Sequence, residues 1–164
     1  MKTNKLVLLS LLTAVSLGIF ILEAQIPPPV PLPGVKLGLA NIITLVTMVL
    51  YTRRDAGLVL LCRILLGSLF AGSVSALLFS LTGGLLSYAV LCLLIRLFPE
   101  RQLWIPSIFS ALGHNLGQLA AAVVVSGTGK LLVYAPALLT SGILTGAFTG
   151  LAAMYLVRSL KKLL

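Results

Sequence analysis

Apolar residues run along this chain in long blocks, interrupted by short polar or glycine- and proline-rich breaks. The blocks lack the period-2 alternation of a membrane β-barrel strand. Uninterrupted apolar segments of this length are read as helices, which satisfy their own backbone hydrogen bonds in lipid. The pattern predicts six of them, over about 5–22, 36–51, 57–81, 85–98, 103–126 and 131–157. The breaks are a proline stretch over 23–35, Thr52-Arg53-Arg54-Asp55, Thr82-Gly83-Gly84, Pro99-Glu100-Arg101 and Gly127-Thr128-Gly129-Lys130. The prolines at 27, 28, 29, 31 and 33 exclude α-helix there, because each lacks an N–H and clashes with the preceding turn. Helix 2 is short and is expected to start below the outer membrane surface.

Composition places these helices in a membrane. Only 9% of the residues are charged and 59% are hydrophobic, with mean hydropathy +1.15. Soluble domains average about 25% charged residues. The expectation is an all-α integral membrane protein: one membrane domain over 1–164, built as a six-transmembrane-helix bundle. The first block, with Lys2 and Lys5 before it, resembles a signal peptide. Its apolar run is too long and Leu22-Glu23-Ala24 too poor a cleavage site, so it reads as an uncleaved span.

Charge then orients the bundle. A net charge of +9 could suggest nucleic acid, but the basic residues lie at segment ends and form no continuous stripe. Six spans put Lys2, Lys5, Arg53, Arg54, Arg63, Arg96, Arg101, Arg158, Lys161 and Lys162 on one side, and Lys36 and Lys130 on the other. The positive-inside rule places both termini in the cytoplasm and the proline loop outside. Arg63, two turns into helix 3 on this reading, is expected to snorkel to the cytoplasmic surface or join an internal ion pair.

Small residues recur every four positions on several helices. Helix 3 carries Gly67, Ala71 and Ser75 beside Ser68, Gly72 and Ala76; helix 5 carries Gly113, Gly117 and Ala121; helix 6 carries Gly142, Gly146 and Gly150. Such rows let backbones approach closely in lipid and are expected to be internal packing. The row Ser10, Ala14, Gly18 on helix 1 could equally dock another membrane subunit.

Polar residues within the spans are the candidate chemistry. His114 lies near the midplane of helix 5, with Gln118 one turn farther out on the same face and Asn115 beside it. Asn41, about a turn into helix 2, should lie at a depth similar to Gln118. Glu23 and Gln25 precede the proline run, and Lys36 and Asn41 follow it. Facing lipid, such groups would be costly, which suggests an outward-opening polar pocket beneath the loop. The alternative is that these side chains join helices as structural hydrogen-bonding groups.

Catalysis and metal binding find little support. Glu23 is expected outside and Asp55 and Glu100 inside, in separate loops, so Mg²⁺-diphosphate chemistry has no evident set of ligands. No phosphate-cradling glycine loop precedes a Lys-Ser/Thr pair. His114 has no carboxylate near it in sequence. Cys62 and Cys92 fall in apolar segments and read as buried, inert thiols. No metal or cofactor is expected.

Several blocks carry a family resemblance. They are Pro33-Gly34-Val35-Lys36-Leu37-Gly38-Leu39-Ala40-Asn41-Ile42, Arg63-Ile64-Leu65-Leu66-Gly67, Phe79-Ser80-Leu81-Thr82-Gly83-Gly84 and Gly113-His114-Asn115-Leu116-Gly117-Gln118. Tyr134-x-Pro136 and Gly142-x-x-Thr145-Gly146 fit as well. Together they resemble the bacterial family labelled both "Gx transporter" and "heptaprenyl diphosphate synthase component I", across nearly the whole chain. The resemblance implies kinship with the substrate-binding (S) components of energy-coupling factor (ECF) vitamin transporters. Those are six-helix subunits of the plasma membrane that capture a small molecule under the loop joining helices 1 and 2. They dock on a coupling subunit and two ATPase subunits, often through helix 1, where this chain has Ser10, Ala14 and Gly18. On this reading Glu23, Lys36, Asn41, His114, Asn115 and Gln118 line or gate a pocket for a vitamin-like or isoprenoid-related molecule. The second reading is a non-catalytic membrane subunit of a prenyl-quinone synthesis or extracellular electron-transfer system.

Overall fold

The computed structural model describes residues 2–26 and 36–162. The prolines at 27, 28, 29, 31 and 33 lie outside the described residues. Those residues form six α-helices: α1 (Lys2–Glu23), α2 (Asn41–Leu50), α3 (Arg53–Ala71), α4 (Val74–Leu94), α5 (Trp104–Ser126) and α6 (Ala135–Leu160). Short 3₁₀ turns at Glu100–Gln102 and Gly129–Tyr134 lead into α5 and α6.

Several boundaries differ from the sequence reading. Thr82-Gly83-Gly84 does not end a helix; it lies in the middle of α4. The break falls instead at Gly72, which closes α3 in the left-handed region at φ 59° and donates its N–H to Ser68 and Leu69 carbonyls. Ser73 then caps α4, its hydroxyl accepting from Ala76 N–H. Gly after one helix and Ser before the next is a stop–start signal, and it outweighed the glycine pair. Helix 2 begins at Asn41 rather than 36, and helix 6 begins at Ala135 rather than 131.

The helices α3, α4, α5, α6 and α2 close a ring of neighbours, with α1 laid against α3 and α2. Ten residues of α2 span only about 15 Å, so this helix depends on its neighbours; Ile43 to Met48 are all buried. Glycines bring α5 close to α6: a Cβ on Gly146 would lie 2.5 Å from the Ile108 backbone, and one on Gly150 would collide with the Trp104 backbone. On α5, a Cβ on Gly117 would sit 2.6 Å from the Thr82 carbonyl of α4. The rows on α5 and α6 are therefore internal packing, as expected. The rows assigned to helix 3 are not. They straddle the Gly72 break, and Gly67 alone among them is buried, against the Phe20 ring of α1.

Large apolar side chains such as Leu69, Phe70, Leu93, Val124, Leu144 and Phe148 point outward. Among the described residues, four helical segments are long and apolar enough to cross a membrane: Asn4–Glu23, Val74–Leu94, Trp104–Ser126 and Gly129–Leu160. The outward apolar surface and these four segments describe a membrane protein. Cys62 is exposed on the outer side of α3 and Cys92 is half-buried, which corrects the expectation of two buried thiols.

One end of the bundle is tied by charge. Lys5 Nζ pairs with Asp55 at 2.8 Å, and Lys161 pairs with Glu100 at 2.5 Å. Asp55 also completes a capping box with Thr52 at the start of α3.

Candidate functional site

Five elements bring polar side chains to one buried place near the ends of α1 and α2. Glu23 closes α1 and is 4% exposed. Its carboxylate accepts the Gly38 N–H and, at 3.5 Å, the Ala40 N–H. The α1 end thus holds the segment leading into α2, and Ser16 assists by donating to the Ala40 carbonyl at 3.2 Å. Gly38 is required here twice over: its φ is 82°, and a Cβ would lie 2.9 Å from the His114 ring.

From α5, His114 and Gln118 project toward the same segment, four residues apart on one face. The Lys36 backbone N–H donates to Gln118 Oε1 at 3.2 Å, so the amide NH₂ of Gln118 faces His114 Nε2 at 3.0 Å. His114 Nδ1 lies against the backbone at Gly83 of α4. Gly83 fits there because a Cβ would be 2.9 Å from both His114 and Gln118. The glycine pair read as a helix break is the close approach that seats the histidine.

Asn41 is the hub. Its Oδ1 accepts from Arg63 of α3 at 3.1 Å, and its NH₂ lies 3.3 Å from both Ser87 Oγ and His114 Nδ1. Ser87 continues to Ser110 of α5 at 2.6 Å. Lys36 is half-buried with its ammonium 3.4 Å above the centre of the Phe20 ring. Burial lowers its pKa below the usual lysine value, partly opposed by the Glu23 charge.

The structure thus joins Glu23, Lys36, Asn41, His114 and Gln118 as the sequence suggested, and departs from that reading in three ways. Asn115 turns the other way, donating to the Leu138 carbonyl of α6 at 2.6 Å; it joins helices and does not enter the cluster. Arg63 does not reach the surface of the bundle. It is 3% exposed, ten residues into a helix that starts at Arg53 rather than Gly57, so about 15 Å from that end. Sequence reasoning assigned it to the wrong depth because it misplaced the helix start. Finally, the outward-opening pocket is closed. The described residues Phe20, Glu23, Lys36, Gly38, Arg63, Ser80, His114 and Gln118 surround about 10 Å³, room for a single water at most.

By contrast, Ser10, Ala14 and Gly18 on α1 all face outward, and a Cβ on Gly18 would meet nothing within 4 Å.

No curated protein and no solved structure matches this chain. The family model described as heptaprenyl diphosphate synthase component I does, over residues 12–156. That span runs from the third turn of α1 into the last turns of α6 and takes in every residue of the buried network from Ser16 to Gln118. The chain belongs to the heptaprenyl diphosphate synthase component I family.

Proposed function

We propose that the chain is a substrate-binding membrane subunit of the ECF type, capturing a small vitamin-like or isoprenoid-related molecule at the outer face of a bacterial plasma membrane. In this reading six helices cross, both termini are cytoplasmic, and a coupling subunit with two ATPases supplies the driving force. The observation that carries it is the buried Glu23–Lys36–Asn41–Arg63–His114–Gln118 cluster. It gathers six such side chains from five elements, four of them buried and Lys36 and Asn41 half-buried, in a membrane bundle where polar groups are expensive to bury. Its closed form fits a ligand-free state in which the segment at 36–40 occupies the ligand's space. The outward row on α1 supports docking of a partner helix, since small residues without neighbours leave a smooth surface.

The chain is read as non-catalytic. Its three carboxylates are each engaged separately: Glu23 with backbone amides, Asp55 with Lys5 and Glu100 with Lys161. That dispersal leaves none to share a divalent ion with another. The test is joint purification from native membranes with mass spectrometry of the released small molecules. A coupling subunit and two ATPases should accompany the chain; their absence sinks the transport reading. Asn41→Leu and Gln118→Leu should each lose the retained molecule while still folding.

A second reading has its own observation. The family description names a synthase component, and the basic end of the bundle carries a groove of about 420 Å³ lined by Tyr51, Arg53, Arg96 and Glu100 over Met48 and Leu103. A non-catalytic membrane subunit of a prenyl-quinone synthesis or extracellular electron-transfer system would use that face. Capture of a soluble prenyl-diphosphate synthase, with loss on Arg53→Glu/Arg96→Glu, would favour it.

A further inference from the structure

The charges inside the cluster do not balance. Its one acid, Glu23, spends its oxygens on the Gly38 and Ala40 amides. The salt bridges among the described residues are Lys5–Asp55 and Lys161–Glu100, both at the opposite end of the bundle, so neither Lys36 nor Arg63 has a carboxylate within ion-pairing distance. Lys36 rests on the Phe20 ring instead. Arg63 is almost wholly buried, makes one hydrogen bond, to Asn41, and leaves its buried Nε–H without a partner. Guanidinium presents five donors in a planar fork shaped for carboxylate or phosphate oxygens, and it keeps its charge in proteins. Two cations against one acid, in a region of low dielectric, leave one positive charge without a counter-charge. Both line the same small space, with Ser80, His114 and Gln118 around it.

We propose that this site takes an anionic ligand, a small molecule bearing a carboxylate or phosphate group that pairs with Arg63 and Lys36. This rests on the substrate-binding reading above and narrows its substrate class. The site is closed around about 10 Å³, so entry requires the 36–40 segment to release Gln118 and Glu23, the two groups that hold its backbone. Arg63, held from α3 by Asn41, stays behind as the fixed anchor, while Lys36 travels with the segment and closes over the anion. A neutral or cationic molecule would leave the spare charge in place and gain nothing from either side chain.

The experiment is thermal unfolding of the full chain in mild detergent with millimolar sodium phosphate, sodium pyrophosphate or sodium succinate, each against sodium chloride at equal ionic strength. At least one of the three should raise Tm by about 3 °C, the shift that ligand concentrations well above Kd produce in a chain of this size. Arg63→Gln should abolish that rise. Should Arg63→Gln fail to fold, Lys36→Gln, at a half-buried position, should reduce the same rise by at least half. No rise with any anion, or an equal rise in the variants, overturns the proposal. Co-purification of a coupling subunit is read separately: it tests the transport reading and is indifferent to the ligand's charge.

Discussion

Arg63 shows how much one side chain's surroundings decide. A buried guanidinium without an acid destabilises the fold that contains it, so replacing it with an apolar side chain of similar length should not weaken the ligand-free protein. Arg63→Met is expected to melt at or above the wild-type temperature in detergent, whereas Glu23→Gln, which weakens the hold on Gly38 and Ala40, should lower Tm by several degrees. Lys36 gives a pH signature. Its pKa is lowered in the folded state, chiefly by burial, so the unfolded chain binds more protons between that lowered value and 10.5. Stability contributed at this residue therefore rises as pH climbs through the folded-state pKa and levels off above 10.5. Comparing wild type with Lys36→Met across that range isolates the effect, and parallel curves would refute it. Of these residues, Glu23, Lys36, Asn41, His114 and Gln118 were legible as polar groups at element ends or on one helix face. Arg63 was not, because its depth depends on where α3 begins.

At the scale of elements, glycine placement governs how closely the helices meet. At Gly146 and Gly150 the glycine face of α6 meets α5 so closely that any side chain strikes backbone, which cannot yield as a flexible side chain would. Gly146→Leu should cost about 3 kcal/mol or more and lower Tm by roughly 6–12 °C. Asp55→Asn tests the opposite end of the bundle. It weakens a capping box and the contact with Lys5, itself substantially exposed, so a loss of about 1 kcal/mol is expected, most of it from the cap. The α3–α4 boundary shows what sequence reading weighs badly. Gly83-Gly84 looked like a break because glycine is a poor helix former, by roughly 1 kcal/mol each. In α4 that cost is offset by His114 and Gln118 packing over Gly83 and by Ile64 over Gly84. Gly72-Ser73, which has no neighbour to pack against, was the real stop and start.

For the whole molecule, polarity from end to end is the organising fact. Moving Arg63 into the buried cluster leaves nine basic residues toward one end on the sequence reading, against Lys36 and Lys130 at the other, and the positive-inside rule makes the first end cytoplasmic in the proposed topology. It predicts that single cysteines at Gln25 and Lys130 label from outside intact cells, and one at Gln102 only after permeabilisation; the reverse pattern would invert the topology. The outward row on α1 makes a further prediction. Ala14→Leu with Gly18→Leu should leave the isolated chain's Tm unchanged, since both positions are open, while reducing capture of the coupling subunit at least tenfold. Retained capture would move docking to another face.

Sequence by itself determined the helical class, the membrane setting, the end-to-end asymmetry of charge and most of the cluster's membership. Those properties follow from partition between water and lipid and from short-range periodicity, both carried by residues close together along the chain. Tertiary structure alone decided that Arg63 joins the cluster, that Asn115 leaves it for α6, and that the space between Glu23, Lys36, Arg63 and His114 is closed. Each of these depends on helix rotation and on contacts between residues 22 to 82 positions apart, as in Arg63–Asn41 and Lys36–Gln118. Local pattern carries no information about which of several polar faces will meet.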